Sequence, residues 1–532
     1  MSSADLDGRD RGAAFAAVDG TSVDLVVIGA GITGAGVARD AALRGLSVVI
    51  VDARDIASGT SSRSSKMIHG GLRYLAHGDV GLVREAASER QVLRRIAPHL
   101  TRLAPFVMPG SLKGTTTMRA ALTAFEKLGG VPKHEKHEVL NAGRLAEREP
   151  TLSDGYHSAV VYPEFLTNDA RLTLANARSA AAAGAQVLTH APVVRIVTQG
   201  GRATGVECRS ALPGEDLGAE ISARMIVNAA GPWVDAVRAL EDDRAADRLI
   251  VTKGIHVVVP HDRLPVANTV ITLGKDRRPV FAVPVGPVTY LGTTDTFYPS
   301  IDTWPRIESE DVDYLFDAMA ATFAGPRLSA DDVVAMWSGI RPLVGEAGKK
   351  PSEISRKDET WVGPGGVLSI AGGKLTAYRT MAARVVDTVV EHLGVRAAPC
   401  ATSTELLVGG DGDPAAMRTQ LAGSVGDAAA ERLVDLFGSE ASAVVARGGD
   451  VAAEVAHAVE REGALTLEDY WVRRSARAWF TLDPVGDDLT TAAAAMADLL
   501  GWTSERTDAE VASCRSIHDE SMACVQAAPL PA

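Results

Sequence analysis

Between residues 23 and 52 the spacing of apolar positions changes twice. Val23, Leu25, Val26, Val27 and Ile28 form a short run of the buried-strand kind. Gly29-Ala30-Gly31-Ile32-Thr33-Gly34 supplies a turn, residues 35–44 an alanine-rich helix stopped at Gly45, and residues 47–51 a second strand that ends in Asp52. Strand, glycine turn, helix, strand and terminal acid make one βαβ unit of the dinucleotide-binding kind. Gly29 and Gly31 permit a sharp turn and close approach of backbone to a pyrophosphate. Gly34 lets helix pack on strand, and unpaired N–H groups at the helix N-terminus meet the anion. Asp52 is then the acid for a pair of ribose hydroxyls.

Farther along, Leu82, Val83, Ala86, Ala87, Val92, Leu93 and Ile96 recur at helical spacing over residues 82–100. Met118, Ala121, Leu122, Phe125 and Leu128 form one apolar face with Lys113, Arg119 and Lys127 around it. That face is read as core, with a membrane-surface helix as the alternative. His134-Glu135-Lys136-His137-Glu138 reads as a solvated charged loop, because two histidines three apart lack a third nitrogen or sulfur ligand for zinc. Asn168 is a suitable N-cap for a helix over residues 169–183. Residues 186–190 and 193–197 alternate as strands, and residues 225–228 form an apolar strand that runs into Ala229-Ala230-Gly231. Strand signals at 254–259, 280–285 and 290–295 predict a sheet-rich domain inserted into the first, since dinucleotide-type elements resume after it. There, residues 367–379 repeat strand, glycine turn at Gly372-Gly373, and helix. Past Pro399 the composition shifts, and residues 409–414 are linker-like. Alanine-rich helical periodicity from residue 415, including 467–480 and 491–500, predicts a separate all-helical domain with Trp471, Trp479 and Trp502 in its core.

A chain of 532 residues is too long for one compact core and implies two to four domains. Its formal charge of -13 argues against a broad nucleic-acid footprint, so any anion site must be a local cluster. Cys208, Cys400, Cys514 and Cys524 have no ligand spacing and read as reduced thiols in a cytosolic chain. Residues 1–20 are polar, lack the apolar stretch of a signal peptide, and read as a disordered tail. No uncharged apolar run reaches membrane-spanning length.

Residues 58–75 include Gly59-Thr60-Ser61-Ser62-Arg63-Ser64-Ser65-Lys66-Met67-Ile68-His69-Gly70-Gly71-Leu72-Arg73-Tyr74-Leu75. Hydroxyls and glycines suit a linker, but the interleaved basic and aromatic residues fit a loop wrapped on a cofactor. At its distance from the glycine turn, this run resembles the signature of FAD-dependent, respiratory-type glycerol-3-phosphate dehydrogenases. The similarity recurs from about residue 23 to the C-terminal helices.

The resemblance implies an α/β fold with a Rossmann-like FAD-binding domain and an inserted sheet-rich substrate (cap) domain of the D-amino-acid-oxidase/glycine-oxidase type. A C-terminal all-helical domain would follow. The FAD-dependent region would span residues 21–398, with FAD-binding segments at about 21–100, 168–235 and 335–398. Substrate segments would lie at about 101–167 and 236–334, and the helical domain at 399–532. It further implies that Ser61, Ser62 and Lys66 lie along FAD, that His69, Gly70 and Gly71 pass close to the flavin, and that Gly231, Gly373, Lys374 and Thr376 complete the cofactor site. Arg73 and Tyr74 would face the substrate. His256, in Lys253-Gly254-Ile255-His256, is the candidate base, with a water beside an arginine-polarised alcohol as the alternative. Arg341 and Arg356 would hold a phosphate, supported by Arg73 and Lys374, and no metal is needed.

Implied chemistry is oxidation of sn-glycerol 3-phosphate to dihydroxyacetone phosphate, with electrons passed from FAD to a quinone. An oxidase using oxygen, an amino-acid oxidase of the same fold and a non-catalytic flavin-binding interaction protein stay open as alternatives. A cytoplasmic location, with peripheral attachment to the inner face of the cell membrane and a homodimer as open questions, goes with that reading.

Overall fold

The computed structural model describes residues 4–69, 80–129, 131–345 and 357–526. The positions assigned to Gly70, Gly71, Arg73, Tyr74 and Arg356 therefore lie outside the described residues.

Strand Ser22–Ile28 is central to an eight-stranded sheet. It pairs in parallel with Val48–Val51 on one side and with the end of Gly218–Asn228 on the other. Gln186–Leu188 and Leu368–Gly372 extend the parallel array outward. Because helices cover a parallel sheet, its strands are apolar on both faces. Helix Ile32–Leu43 packs between Asp169–Ala182 and Tyr378–Leu393 on one face, where Val37, Ala41, Leu174 and Val385 share a core. Asn168 caps Asp169–Ala182 as expected, its side-chain oxygen accepting from the Arg171 amide at 3.1 Å.

A second, ten-stranded sheet is mostly antiparallel. Its long strand Leu249–Pro260 pairs with Ala335–Val344 along one edge and Val288–Gly292 along the other. Pro279–Val285, Thr269–Leu273, Arg102–Gly110 and Ser158–Leu166 carry the order on to Met67–Ile68. Two of these strands fall in segments expected in the cofactor domain. Ala335–Val344 has six consecutive buried residues at its start. Such a run is buried from both faces, so its pattern does not say which sheet it joins. Met67–Ile68 carries the hydroxyl-rich loop directly onto the second sheet through Phe165 and Leu166.

Other expectations are corrected. The first residues are not a loose tail from Ala4 onward. Helix Arg11–Ala16 buries Phe15, Val18 is buried beyond it, and the Leu6 amide donates to the Arg461 carbonyl at 3.0 Å. Two well-placed apolar residues and backbone pairing with distant chain order a segment whose own composition would not. Glu135 is not solvated either: it is buried, paired with Arg90 at 3.3 Å and with Arg94. His137 instead hydrogen-bonds Glu126 at 2.7 Å. The helical region is less separate than expected, because Trp471 and Trp479 join Trp337, Tyr290 and Val258 of the second sheet in one core. Over residues 467–480 the helical periodicity gives a π-helical turn at Asp469–Arg474.

Helix Leu112–Gly129 turns its apolar face inward, with Leu122 and Phe125 buried. The core reading of that face holds. Phe125→Ala is expected to destabilise the fold by about 3–5 kcal/mol and to lower the thermal midpoint of the protein in lipid-free buffer. An unchanged midpoint, with reduced sedimentation on vesicles, would return this face to the surface. Among the described residues no helix is long and apolar enough to cross a membrane.

Candidate active site

At the carboxyl end of the parallel sheet the glycine turn is held by sterics. Gly29 has φ +104°, and a Cβ there would lie 2.7 Å from the Ala229 carbonyl oxygen. A Cβ on Gly34 would lie 1.8 Å from the Gly29 oxygen, which leaves no room for alanine at the start of helix Ile32–Leu43. Gly31 caps that helix without a side chain, and the Ile32 amide donates to Ser61 Oγ at 2.9 Å. Thus Ser61 meets the N-terminal amides where a pyrophosphate would lie. Asp52 faces the same turn, accepting from the Ala30 amide at 2.6 Å and the Arg54 amide at 2.8 Å. Burial outweighs those two bonds and lifts its carboxyl to about 6.

The loop that follows crosses from this turn to the second sheet. Thr60 Oγ1 donates to the Ile340 carbonyl at 2.6 Å, Trp337 Nε1 to the Ser64 carbonyl at 3.4 Å, and Tyr290 OH to the Ser65 carbonyl at 3.0 Å. Ser62 is buried within the loop. Lys66 is buried with its ammonium 2.6 Å from Asp169 and 2.8 Å from the Ser62 carbonyl, so its charge is spent inside the loop.

Beneath the loop, opposed pairs along three strands build one face. His256 opposes Gly292 and Trp337, Gly254 opposes Gly339, and Thr252 opposes Arg341. Facing side chains of antiparallel neighbours share a side of the sheet. His256 and Arg341 therefore stand on the same face with glycines between them. The space is used closely: a Cβ on Gly254 would lie 2.0 Å from Arg341 Nη2, and one on Gly339 2.8 Å from the Arg63 carbonyl oxygen.

Arg341 is held in place by Asp295 Oδ1 at 3.0 Å, Thr293 Oγ1 at 3.1 Å and the Thr294 carbonyl at 3.0 Å. His256 stacks on Trp337 at 4.5 Å between centroids, and its Nε2 lies 2.9 Å from Ser65 Oγ. Burial, then the charges of Arg341 and Lys66, hold the imidazole well below the usual histidine range, so it is neutral. Its Nδ1 is buried without a hydrogen-bond partner among the described residues.

On the side of the first sheet, Leu368–Gly372 ends in Gly372 and Gly373, both with positive φ, and Lys374 begins the turn into helix Tyr378–Leu393. Thr376 Oγ1 donates to the His69 carbonyl at 3.3 Å, tying this end to the end of the hydroxyl-rich loop. Gly231 starts the turn after Gly218–Asn228 with φ +57°.

Four residues escaped the sequence reading. Ser65 and Trp337 position His256, and Asp295 positions Arg341. The fourth, Arg63, is buried 3.8 Å over the Trp304 ring, with Nε and Nη2 lacking partners among the described residues. An arginine set between serines in a hydroxyl-rich run was the available signal. Orphaned donors of Arg63 in this loop, the glycine cradle and the N-terminus of the following helix all fit an anionic dinucleotide.

A parallel sheet with a glycine turn at its carboxyl end, joined to a second, mostly antiparallel sheet, is the fold of the FAD dependent oxidoreductases. Their family model matches residues 24–379, and that of the C-terminal domain of alpha-glycerophosphate oxidase matches residues 400–507. Across 91% of its length the chain is 37% identical to the aerobic glycerol-3-phosphate dehydrogenase of Staphylococcus haemolyticus, covering 92% of that protein. The chain belongs to the family of FAD-dependent, aerobic glycerol-3-phosphate dehydrogenases. It is 36% identical to the Staphylococcus aureus member, over 91% of this chain and 92% of that one. The glycerol-3-phosphate dehydrogenase of Bacillus halodurans, solved in complex with FAD, superposes with a TM-score of 0.80 at 31% identity, covering 97% of this chain and 98% of that chain.

Proposed function

We propose that the protein oxidises sn-glycerol 3-phosphate to dihydroxyacetone phosphate and passes the electrons from FAD to a quinone. The observation that carries this reading is the placement of His256 and Arg341 on one glycine-floored face under the loop that leaves the dinucleotide turn. FAD, when bound, supplies the two-electron acceptor for the hydride of the carbinol carbon. Gly29, Gly31, Gly34, Ile32 and Ser61 would hold its pyrophosphate and Asp52 its ribose. Ser62 and His69 would line the loop beside it, with Gly231, Gly373, Lys374 and Thr376 at the flavin end.

Arg341 would bring a fixed, permanently charged guanidinium to the phosphate of the substrate. Its Asp295 and threonine contacts remove the rotamer search that a free arginine would make on binding. Arg73, Tyr74 and Arg356 are proposed to add to that site from the segments that resemble the family pattern. His256, neutral and buried, takes the hydroxyl proton at Nε2, the nitrogen now held by Ser65. Proton and hydride together leave the carbinol as a ketone.

Oxygen as electron acceptor is the second reading, because the helical region matches a domain named for an oxidase. Substrate-dependent reduction of a soluble quinone under nitrogen, with little peroxide formed under air, is the expected result. Stoichiometric peroxide and no quinone reduction would establish the oxidase instead. Attachment to a lipid surface, where a quinone would be met, must use a face other than that of Leu122 and Phe125.

The fingerprint region shows no evident attachment histidine or cysteine, so the flavin is expected to be held non-covalently. Acid precipitation should leave a white pellet and a yellow supernatant. A yellow pellet would place a covalent bond in the loop.

A further inference from the structure

The turn that carries Asp52 touches both the cofactor cradle and the helical domain. On the cradle side Ala30 donates to Asp52, and the Ala57 amide returns to the Ala30 carbonyl at 3.1 Å. Toward the helical domain, Asp55 is fully buried and receives a bidentate pair from Arg474, at 2.5 and 2.8 Å, and a further bond from Arg473 Nε. The backbone of the same turn is fixed through His190, whose amide donates to the Arg54 carbonyl at 2.8 Å. Its ring lies 3.0 Å from Asp469.

Asp469, Arg473 and Arg474 all belong to the π-helical turn. Extra residues in such a turn redirect side chains, and π turns recur at functional places. Here the turn brings two adjacent arginines to one carboxylate 418 and 419 residues away in sequence. Asp55, His190 and Asp469 are close enough together to resemble a metal ligand set, but the guanidinium groups already neutralise the carboxylates.

We propose that Arg473 and Arg474 are positioning residues for the cofactor: through Asp55 they hold turn 52–57 where Asp52 meets the adenosine ribose, so that docking of the helical domain and FAD binding strengthen each other. This rests on the placement of the ribose at Asp52 given above. Coupling of this kind is reciprocal, because each event favours the same conformation of one turn.

The test uses the full chain stripped of flavin and titrated with FAD by fluorescence. Arg474→Lys keeps the charge and loses the bidentate fit, and is expected to weaken FAD binding by at least about tenfold. Arg418→Lys is the control. Arg418 pairs with Asp435 at 2.5 Å inside the helical domain, between two of its own helices, so this variant should shift FAD affinity by less than about twofold. Equal weakening in both, or unchanged affinity in Arg474→Lys, would overturn the clamp.

Should Arg474→Lys not fold, the unmodified protein carries the same test through amide exchange. Adding FAD is expected to slow exchange in Asp469–Arg474 but not in the outer helix Asp487–Leu500, and no slowing in the π turn would overturn the proposal. Asp52→Ala tests the underlying site. Unchanged FAD affinity there would move the ribose elsewhere and fail the site itself. Weak binding in Asp52→Ala with normal binding in Arg474→Lys would sink the clamp alone.

Discussion

His256→Asn is expected to lower kcat for glycerol 3-phosphate by about a hundred- to ten-thousand-fold, the range supplied by a positioned general base, with FAD content unchanged. Asparagine keeps a polar group within reach of Ser65 and approximates the size of the ring, but it cannot take the proton. FAD should stay bound, because His256 stands on the second sheet whereas the glycine turn and Asp52 stand on the first.

The same residue gives two pH signatures. Its folded-state value lies well below the usual 6.5, so the imidazole is already a base throughout the neutral range. Activity should therefore show no loss from this group as pH falls from about 8 to about 6.5. For stability, the unfolded chain binds a proton at this ring below 6.5 and the folded chain does not. The group leaves stability undiminished above that value, lowers it progressively below, and His256→Asn should flatten that part of the curve. A variant within about threefold of wild-type kcat would move the proton to water beside an arginine-polarised alcohol.

Arg341→Lys should cost about ten- to a hundred-fold in kcat/KM for glycerol 3-phosphate, since each charged hydrogen bond is worth about 1.5–3 kcal/mol. Lysine keeps one positive charge but cannot span Asp295, Thr293 and the Thr294 carbonyl, so the charge is no longer fixed in place for the phosphate. Loss confined to KM would mean that the phosphate is gripped equally in ground and transition states. A fall in kcat as well would mean that Arg341 also orients the carbinol carbon. Glycerol, which has no phosphate, should be a very poor substrate of the unmodified protein. Comparable kcat/KM for the two alcohols, or an unaltered lysine variant, would detach the phosphate from Arg341 and reopen the amino-acid oxidase reading.

The glycine turn of the candidate site was legible because sterics act locally there. A turn in which Gly34 has no room for a Cβ, followed by an acid at the end of the next strand, leaves its mark in thirty consecutive residues. Buried and capped elements such as Asp169–Ala182 were legible for the same reason. Partners set by long-range pairing were not. Strand Ala335–Val344 was placed with the cofactor segments yet joins the second sheet, and Arg341 gave no hint of Asp295, 46 residues earlier. Ser65 was one hydroxyl among several until the second sheet put His256 beside it. Glu135 read as solvated because charge in a loop usually is, and only the arrival of Arg90 and Arg94 from another helix makes its burial affordable. The tight union of helical and sheet cores was equally hidden, since Trp479 looks the same whether it packs on its own domain or on Trp337.

Strand Ser22–Ile28 also sets a timetable for synthesis on the ribosome. One of its neighbours, Val48–Val51, follows within seconds, but the other is Gly218–Asn228, and the arginines that reach Asp55 come at 473 and 474. At roughly 5–20 residues per second the emerging chain carries an unfinished apolar strand for on the order of 10–40 s, and an undocked cofactor turn for on the order of 20–90 s. The turn that carries Asp52 and Asp55 consequently gains its last contacts late in synthesis, long after the strand that precedes it has emerged.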